Sequence, residues 1–368
     1  MNAPRRDARL DAAREALARE RADWLLIPAS ADFLWLTGGH ARVTERLVLF
    51  ALPARGEPFA LVPRLEAEAL GGECPWLALE VWDEDEDPLA RLAKRVGDAR
   101  SLLLGEGFRT APLLTLAARA QCRAAAPVIA PLRAVKDAEE IARMKTAARH
   151  ADRVVTETAA SLRPGLTERQ VAGAILARFE AVGQTSPWAI VAAGANAAFP
   201  HHSSSDRAIA AGECVLLDLG AYHEGYGSDI TRTFWLGRPP EDFARVYAIV
   251  NESRAAGITA ARAGAKASAV DAAARAVIAA AGYGEYFIHR TGHGVGLEIH
   301  EPPYLVAGND APLLAGMTHS VEPGVYLPGR FGVRLEDLVV VEAGGARRLN
   351  EAPFEPALDA VGAPSAAG

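Results

Sequence analysis

The sequence is poor in cysteine and has no long apolar run. Its three cysteines, Cys74, Cys122 and Cys214, are far apart in a chain of 368 residues and form no C-x-x-C pair. A disulfide framework or a thiolate zinc site is therefore not expected. No uninterrupted apolar run reaches the roughly 18 residues that a membrane span needs, and the charged N-terminus lacks the apolar segment of a signal peptide. These absences predict a cytoplasmic protein with no membrane partner.

Positive charge is also scarce. Lysine and arginine total 39 against 46 aspartate and glutamate residues, which gives a formal net charge of −7. Nucleic-acid binding needs a basic surplus that neutralises phosphates, so no nucleic-acid partner is expected. Half of the residues are apolar and 23% are charged, a balance typical of a globular protein.

Length and pattern predict more than one domain, because a single core stops growing at about 250–300 residues. Residues 1–132 alternate helical and strand-like segments, which favours a small α/β domain. Pro127 and Pro131 indicate a boundary, since proline is not accommodated in a central strand. Residues 133–358 form the second predicted domain, and 359–368 are predicted to be a flexible tail.

Hydrophobic periodicity and capping residues predict individual elements. In the first domain they indicate helices over 5–22 and 88–97 and strands over 24–28, 46–52, 58–62 and 102–105. In the second domain, Asp137 is expected to cap a helix over 138–161. Thr167 and Gln170 have the spacing of a capping box and are expected to start the next helix.

The second domain also contains a weak internal repeat. Arg163-Pro164-Gly165-Leu166 leads a helical segment, and the related Arg262-Ala263-Gly264-Ala265 leads another one 99 residues later. A β-like region with histidines and acids follows each helix. We infer a duplicated αβ unit with a site at its pseudo-twofold axis, within a chain of the α+β class.

Two acidic pairs carry the functional prediction. Asp218 and Asp229 flank a glycine-rich turn, as do Glu322 and Glu336 around a second turn. Residues equidistant from a hairpin turn stand opposite each other, with Cβ atoms about 4.5–5.5 Å apart. Four buried carboxylates would carry a charge near −4, which is costly unless it is compensated. Two divalent cations would match that charge.

A histidine ligand is expected beside these carboxylates. His293 is the best candidate because glycines on both sides allow close approach, and His289 and His300 flank it. Oxygen donors with one nitrogen suit Mn²⁺, Co²⁺ or Zn²⁺. Two-metal sites of this kind hold ions about 3.5–4 Å apart and activate water for attack on a carbonyl.

These residues resemble the signature of the pita-bread metallohydrolases, the family of methionine aminopeptidase, aminopeptidase P and prolidase. The matching segments are, in the family's order, PHHSSSDR, LLDLGAYHEGYGSDITRTF, YFIHRTGHGVGLEIHEPP, HSVEPGVYLP and GVRLEDLVVV. The N-terminal half, with FLWLTG at 33–38, resembles the smaller domain of prolidases, aminopeptidase P and creatinase. The resemblance implies a C-terminal pita-bread catalytic domain, a creatinase/prolidase-type N-terminal domain and a homodimer.

The resemblance also implies the metal ligands. Asp218 would bind one metal ion, Asp229 and Glu336 would bridge both, and His293 and Glu322 would complete the other. The ions are expected to be Mn²⁺, with Co²⁺ or Zn²⁺ as alternatives. Glu322 would act as general base and then as general acid towards the metal-bridging water.

Substrate-binding roles follow from the same resemblance. His300 matches the histidine that stabilises the oxyanion, His289 the one that lines the proline pocket, and His201 the histidine of the Pro-His element. Arg334 is expected to hold the Glu336 carboxylate in place or to bind substrate.

Three neighbouring side chains are expected to be structural. His202 is interpreted as a bystander beside His201. Trp188 and Phe199 offer apolar surface for a substrate, but we expect both to belong to the core.

The implied function is hydrolysis of the peptide bond before proline, in dipeptides or short peptides. Several prolidases carry an arginine shortly after the His-Glu element, where it binds a dipeptide's carboxylate. Here HEPPYLVAGNDAP has Tyr304 and no basic residue. Arg330 in the next turn is an alternative, although a turn arginine is expected to be solvated. Both Xaa-Pro dipeptidase (prolidase) and Xaa-Pro aminopeptidase remain open.

Other functions are known on the same fold. A non-peptidase enzyme similar to creatinase, ectoine hydrolase or dimethylsulfoniopropionate lyase is one alternative, and a non-catalytic binding domain is another. The complete set of five ligand residues favours the peptidase.

Overall fold

A computed structural model describes residues 1–358 and divides the chain into two compact units. The first unit comprises residues 1–133, and the second begins at Ala134. The tail predicted for 359–368 lies outside the described residues. Within residues 1–358, no helix combines the length and apolarity that crossing a membrane requires.

One mixed sheet forms the centre of the first unit. Its strands are β1 (Trp24–Pro28), β2 (Leu49–Pro53), β3 (Phe59–Pro63), β4 (Ala78–Trp82), β5 (Ser101–Leu104) and β6 (Gln121–Ala124). The spatial order is β4-β3-β2-β1-β5-β6. Strand β2 is antiparallel to both neighbours, and the other adjacent pairs are parallel. Strands β2 and β3 are buried along their whole length, as expected of a sheet covered on both faces.

Helices precede, connect or follow these strands, except that a short turn joins β2 to β3. They are α1 (Ala3–Glu20), α2 (Ala31–Thr37), α3 (Arg64–Glu73), α4 (Pro88–Val96), α5 (Thr110–Ala117) and α6 (Ala126–Ala134). The predicted helices 5–22 and 88–97 and all four predicted strands are confirmed, with ends shifted by up to three residues. Pro127 and Pro131 lie inside α6 rather than in an extended linker. Pro127 is tolerated there because it occupies the first turn, where its missing N–H has no helical partner.

The described part of the second unit contains four long helices. They are α7 (Ala138–Ser161), α8 (Glu168–Ala181), α9 (Glu241–Ala260) and α10 (Ala267–Ala280). Asp137 caps α7, and Thr167 forms a capping box with Gln170 at the start of α8. Both capping predictions are confirmed.

The predicted duplication is confirmed by these helices. Helices α8 and α10 each have 14 residues and start 99 positions apart. A turn with a left-handed glycine precedes each, Gly165 at φ 91° and Gly264 at φ 83°. Val171 and Val270, at equivalent helix positions, are both buried. Each half is therefore a helix pair followed by antiparallel strands.

The strands between residues 134 and 358 form three sheets. They are β7 (Thr185–Ala193), β8 (Cys214–His223), β9 (Tyr226–Gly227), β10 (Ile230–Leu236), β11 (Gly292–Gly294), β12 (Glu301–Leu305), β13 (Thr318–Val321), β14 (Gly324–Leu327), β15 (Phe331–Arg334), β16 (Asp337–Glu342), β17 (Gly345–Arg348) and β18 (Ala357–Leu358). One sheet has the order β18-β10-β8-β7, with β9 pairing β8. Another has the order β12-β11-β13-β16-β17, and β14 and β15 form a separate hairpin.

The first acidic hairpin differs from its prediction. Asp218 pairs with Thr231, not with Asp229. The turn is centred on Glu224 and Gly225, which both have positive φ, as in the two-residue turns that suit tight hairpins. This centre moves the register by two residues. Because side chains alternate with a period of two, Asp229 stays on the face that Asp218 uses.

The second acidic hairpin has the predicted register. Gly324 pairs with Arg334 in β14 and β15, and Val321 pairs with Asp337 in β13 and β16. Both ladders have the same register. Glu322 and Glu336 therefore face each other in the gap between the Val321–Asp337 pair and the Gly324–Arg334 pair.

Candidate active site

A cavity of about 610 Å³ lies within the second unit. All nine residues predicted for the site line it: His201, Asp218, Asp229, His289, His293, His300, Glu322, Arg334 and Glu336. Both halves of the duplication thus contribute to one cavity. The remaining lining comes from Arg290 and from four apolar residues, Trp188, Ile190, Pro200 and Ile299.

Atoms of the kind that can bind a metal ion converge in this cavity. Donor atoms of Asp229, His293 and Glu336 all lie within 4.8 Å of one another. His293 Nε2 is 3.3 Å from Glu322 Oε1 and 3.8 Å from Asp229 Oδ2. His293 Nδ1 donates to the Gly294 carbonyl at 3.1 Å, so Nε2 is the ring nitrogen that faces the carboxylates and that a metal ion could use.

Three carboxylate oxygens in this group have no hydrogen-bond donor among the described residues. They are Asp218 Oδ1, Asp229 Oδ1 and Glu336 Oε1, and all are buried. Leaving a buried acceptor unpaired costs about 1–3 kcal/mol, and more for a charged group. Bound cations remove that cost. The donor set therefore fits a pair of divalent ions.

The four carboxyl groups differ in their proton affinity. Burial raises the pKa of Asp218 above its usual range, and burial with repulsion between carboxylates holds the pKa of Asp229 and Glu336 well above theirs. Burial acts in the same direction on Glu322, but its hydrogen bond with His293 and the neighbouring positive charges outweigh it and lower its pKa to about 2. Glu322 is therefore ionised at neutral pH.

Arg334 contacts a different carboxylate from the one predicted. Its Nη2 forms an ion pair with Asp218 Oδ2, whereas Glu336 is reached only through Thr231. The Arg334 Nε donates to Thr231 Oγ1 at 3.1 Å, and that hydroxyl donates to Glu336 Oε2 at 2.6 Å. The reason is the register shift of the first hairpin, which places Thr231 directly opposite Asp218.

His289 is held in one tautomer. Its Nδ1 donates to the Arg290 carbonyl at 2.7 Å, so Nε2 accepts a hydrogen bond from the Tyr326 hydroxyl at 2.8 Å. Arg334 Nη1 in turn donates to that hydroxyl at 2.9 Å. Burial lowers the pKa of His289, which favours the neutral ring. Both ring nitrogens are occupied, so the ring presents a wall rather than a donor to the cavity.

His300 and His201 stand at the mouth of the cavity, where both are exposed. The His300 ring packs edge-on against His293 with a centroid distance of 4.2 Å. Partial burial and the nearby His293 and Arg290 lower the pKa of His300 to about 4. His300 is therefore neutral at pH 7 and keeps an N–H that can donate to a ligand.

Sequence reasoning missed Arg290 and Tyr326. Arg290 lines the cavity and its guanidinium lies 4.5 Å from the centre of the Tyr304 ring. It forms no hydrogen bond or ion pair with any side chain of residues 1–358. The sequence did offer one indication for Arg290, because it directly follows His289. Arg330, by contrast, is an exposed turn residue paired with Asp242.

The expectation of core packing fails for two aromatic residues. Trp188 lines the cavity and is half-buried. Phe199 is 61% exposed. The expectation fails because Phe199 follows a short 3-10 helix (Gly194–Ala198) and lies in a loop rather than in a strand with a buried face.

Two buried carboxylates support the histidine segments. Asp271, on α10, accepts from Thr291 N and Oγ1 and pairs with Arg275. Arg275 also donates to the carbonyls of Phe287 and His289 at 2.8 Å. Glu168, on α8, contacts the segment that carries His201. Each half thus uses a helix-borne acid to hold a loop of the cavity.

Comparison with known proteins matches this geometry. The sequence profile of metallopeptidase family M24 matches residues 142–343, and that of the creatinase/prolidase N-terminal domain matches residues 9–135. The chain belongs to metallopeptidase family M24. It is a metallopeptidase with a pita-bread catalytic fold, and this family membership implies divalent metal ions.

Similar proteins include peptidases aligned along nearly the whole chain. A probable dipeptidase PepE of Mycobacterium tuberculosis is 40% identical over 370 residues, covering 96% of this chain and 98% of the relative. A Xaa-Pro dipeptidase of Lactobacillus delbrueckii subsp. lactis is 35% identical over 355 residues, covering 91% and 95%. The crystal structure of dipeptidase PepE from Mycobacterium ulcerans superposes with a TM-score of 0.92 at 39% identity, covering 97% of this chain and 100% of that one.

Proposed function

We propose that the protein hydrolyses the peptide bond before proline, with Xaa-Pro dipeptides as preferred substrates, in a reaction that requires two divalent metal ions. The observation that carries the proposal is the convergence of four carboxylates and His293 in one cavity, with three buried carboxylate oxygens that no donor among residues 1–358 satisfies. The name Xaa-Pro dipeptidase of a similar protein supports the proline specificity.

In this proposal Asp218, Asp229, His293, Glu322 and Glu336 hold the metals. Asp229 and Glu336 are the carboxylates that would contact both ions. Bound Mn²⁺, Co²⁺ or Zn²⁺ would supply Lewis-acid polarisation of the scissile carbonyl and a water of lowered pKa. Arg334 orients Asp218 by their ion pair and orients Glu336 through Thr231.

Glu322 is the proton shuttle. Its carboxylate lies beside His293 and lines the cavity, where it can reach the attacking water. We expect it to take a proton from the attacking water and to give it to the proline nitrogen when the bond breaks. His300 donates its N–H to the developing oxyanion, which a neutral donor stabilises without losing a proton.

The proline ring fits the apolar part of the cavity. His289 offers a ring wall whose nitrogens are already bonded, and Ile299 and Trp188 add apolar surface. His201, at the mouth, remains available to bind the substrate backbone. This wall suits a tertiary amide, which has no N–H to be satisfied.

Arg290 supports dipeptides over longer peptides. Its guanidinium is at the cavity, stacked on Tyr304, and has no carboxylate partner among the described residues. A dipeptide places a negatively charged carboxylate directly after proline, whereas a longer peptide has a neutral amide there. A charge-assisted pair at this point favours the dipeptide.

The test uses metal-free protein loaded with Mn²⁺, Co²⁺ or Zn²⁺ and a panel of Xaa-Pro dipeptides, their C-terminal amides, longer Xaa-Pro peptides and Xaa-Ala dipeptides. We expect cleavage of Xaa-Pro dipeptides only in the loaded enzyme. Cleavage of Xaa-Ala at the same rate contradicts the proline specificity. Exclusive cleavage of longer peptides identifies an aminopeptidase instead.

Arg290→Met tests the dipeptide preference separately. Losing a hydrogen bond to a charged group costs about 1.5–3 kcal/mol, so kcat/KM for the dipeptide should fall about 10- to 150-fold. The rate on the dipeptide amide should not change. Arg330→Met is the matched control, because that arginine is exposed and pairs with Asp242. An equal loss on dipeptide and amide contradicts carboxylate recognition by Arg290.

A further inference from the structure

The segment from Gly194 to Ser205 forms one wall of the cavity. It contains a short 3-10 helix, then Pro200 and His201, which line the cavity. Its residues are not part of a sheet ladder, so periodic backbone pairing does not fix the direction of the His201 side chain. Something outside the segment must hold it.

Glu168 is the group that holds both ends of this segment. The side chain of this residue is fully buried at the start of α8. Its Oε1 accepts from Ala193 N at 2.8 Å and from Asn196 Nδ2 at 2.9 Å. Its Oε2 accepts from Ser205 N at 2.9 Å and Ser205 Oγ at 2.6 Å. One carboxylate thus ties the first turn of the segment to its last residue.

His202 completes this set of donors. Its Nε2 lies 2.8 Å from Glu168 Oε2, so the residue interpreted as a bystander has a defined partner. His201 and His202 are consecutive, and one lines the cavity while the other contacts the buried acid. Fixing the direction of His202 therefore fixes the direction in which His201 leaves the backbone.

The opposite side of the segment is held by strand β15. Arg334 Nη1 donates to the Pro200 carbonyl at 3.3 Å. Gly332 allows close approach, since a Cβ there would lie 1.9 Å from the Ala197 carbonyl oxygen. The segment is therefore packed between Glu168 on one side and β15 on the other.

We propose that Glu168 is a positioning residue that directs His201 into the cavity by anchoring both ends of segment 194–205. The consequence for catalysis rests on the proposed function, because His201 acts there on substrate. Five donors converge on this one carboxylate, and charge-assisted hydrogen bonds are about twice as strong as neutral ones. Asparagine or glutamine cannot replace it, because an amide nitrogen would face donors.

Glu168→Gln is the central test, made in metal-loaded full-length protein. We expect bound metal to be unchanged, because the donors that surround Glu168 include none of the five proposed ligands. A displacement of about 1 Å at a catalytic group can cost about 100-fold, so kcat/KM for an Xaa-Pro dipeptide should fall by up to that factor. In a His201→Ala background, Glu168→Gln should lower kcat/KM by less than about twofold, because the imidazole that Glu168 positions is no longer there.

Hydrogen exchange gives a readout that does not depend on activity. Amide exchange in residues 194–205 should accelerate in Glu168→Gln and in the milder Ser205→Ala and Asn196→Ala, which each remove one donor and leave the acid in place. The matched control is Arg169→Gln, because Arg169 adjoins Glu168 and forms an exposed ion pair with Asp206, the residue directly after the segment. The control should change neither exchange nor kcat/KM.

The outcomes separate the two proposals. Unchanged exchange in Glu168→Gln and Ser205→Ala overturns the positioning role, as does a Glu168→Gln loss in kcat/KM that multiplies fully with that of His201→Ala. Failure of the wild-type enzyme to cleave any Xaa-Pro peptide overturns the proposed function alone, because the exchange measurement still decides whether Glu168 anchors the segment.

Discussion

The two halves of the catalytic unit share a framework but differ in chemical content. Both present a left-handed glycine, a 14-residue helix and an acidic hairpin. The first half supplies Asp218, Asp229 and His201 to the cavity, whereas the second supplies two glutamates, three histidines and two arginines. Both halves therefore supply a carboxylate pair to the cavity, and the second half adds most of the groups that we propose to act on substrate.

The same contrast appears in the supporting acids. Glu168 on α8 and Asp271 on α10 both hold a loop that follows their helix, but Glu168 binds its loop directly. Asp271 works partly through Arg275, which reaches two further carbonyls. Variants of the supporting acids can thus be tested separately from variants of the residues that line the cavity.

Replacing the shared carboxylates should have the largest effect. Asp229→Ala and Glu336→Ala come from different halves, and each removes a ligand proposed to contact both ions. The rate of hydrolysis should fall by more than the roughly 10- to 100-fold that replacing a residue behind the ligands costs. Metal content is measured in parallel. Asp242→Ala, at an exposed ion pair, is the control. Retention of more than about a tenth of the wild-type rate in either variant contradicts the proposal that its carboxylate contacts both ions.

Metal removal should destabilise both halves together. Ligand binding stabilises the folded state by about 2.7 kcal/mol at 100 times the dissociation constant, so chelation should lower Tm, and added Mn²⁺, Co²⁺ or Zn²⁺ should restore it. Because Asp218 and Glu322 lie in different halves, metal removal should accelerate amide hydrogen exchange in both β8 and β13. A Tm that changes with neither chelator nor added metal contradicts the metal site.

Tyr326→Phe should give an intermediate effect confined to the second half. The change removes the hydroxyl between Arg334 and His289, which is worth about 1–3 kcal/mol when buried partners are left unpaired. KM for the Xaa-Pro dipeptide should rise by at least about fivefold, the fold-change that corresponds to 1 kcal/mol. Tyr247→Phe is the control, because its hydroxyl bonds the Phe354 carbonyl outside the cavity. Equal KM changes in both variants would mean a general loss of packing.

Gly165→Ala and Gly264→Ala should give the smallest effect, on stability alone. Both positions have positive φ and are surrounded by open space, with no atom within 4 Å of an added Cβ. A left-handed alanine costs about 1–2 kcal/mol, so the free energy of unfolding should fall by that amount in each, with kcat/KM unchanged. Gly173→Ala, inside α8, should instead stabilise slightly. Unequal losses would show that the two turns are not equivalent.

The spacing of residues along the sequence predicted the elements that follow a local, regular pattern. The caps Asp137 and Thr167, the helices that follow them and the opposed glutamates all depend on local periodicity, so they could be predicted. The position of Asp229 relative to Asp218 could not, because turn centring depends on which residues accept positive φ, and Glu224 does so here. The Ala-Gly turns at 211–212 and 315–316, each six residues before Asp218 and Glu322, were an unused signal that these acids are equivalent.

Loop side chains were the least predictable. Arg290 and Tyr304 are 14 residues apart and meet only after the chain passes through β11 and β12. Glu168 and His202 are farther apart still. No periodicity fixes side-chain direction in such segments, so the sequence alone identified neither Arg290 nor Glu168 as a residue of the site.

The interruption between β13–β16 and β14–β15 has a consequence for variation in length. Glu322 and Glu336 are aligned by ladders on both sides of the gap. Residues added or lost at the 328–330 turn therefore need not shift these two acids, because the β13–β16 ladder keeps them aligned from the side away from the turn. The hairpin tip can therefore change in length while the pair of glutamates proposed as ligands keeps its geometry.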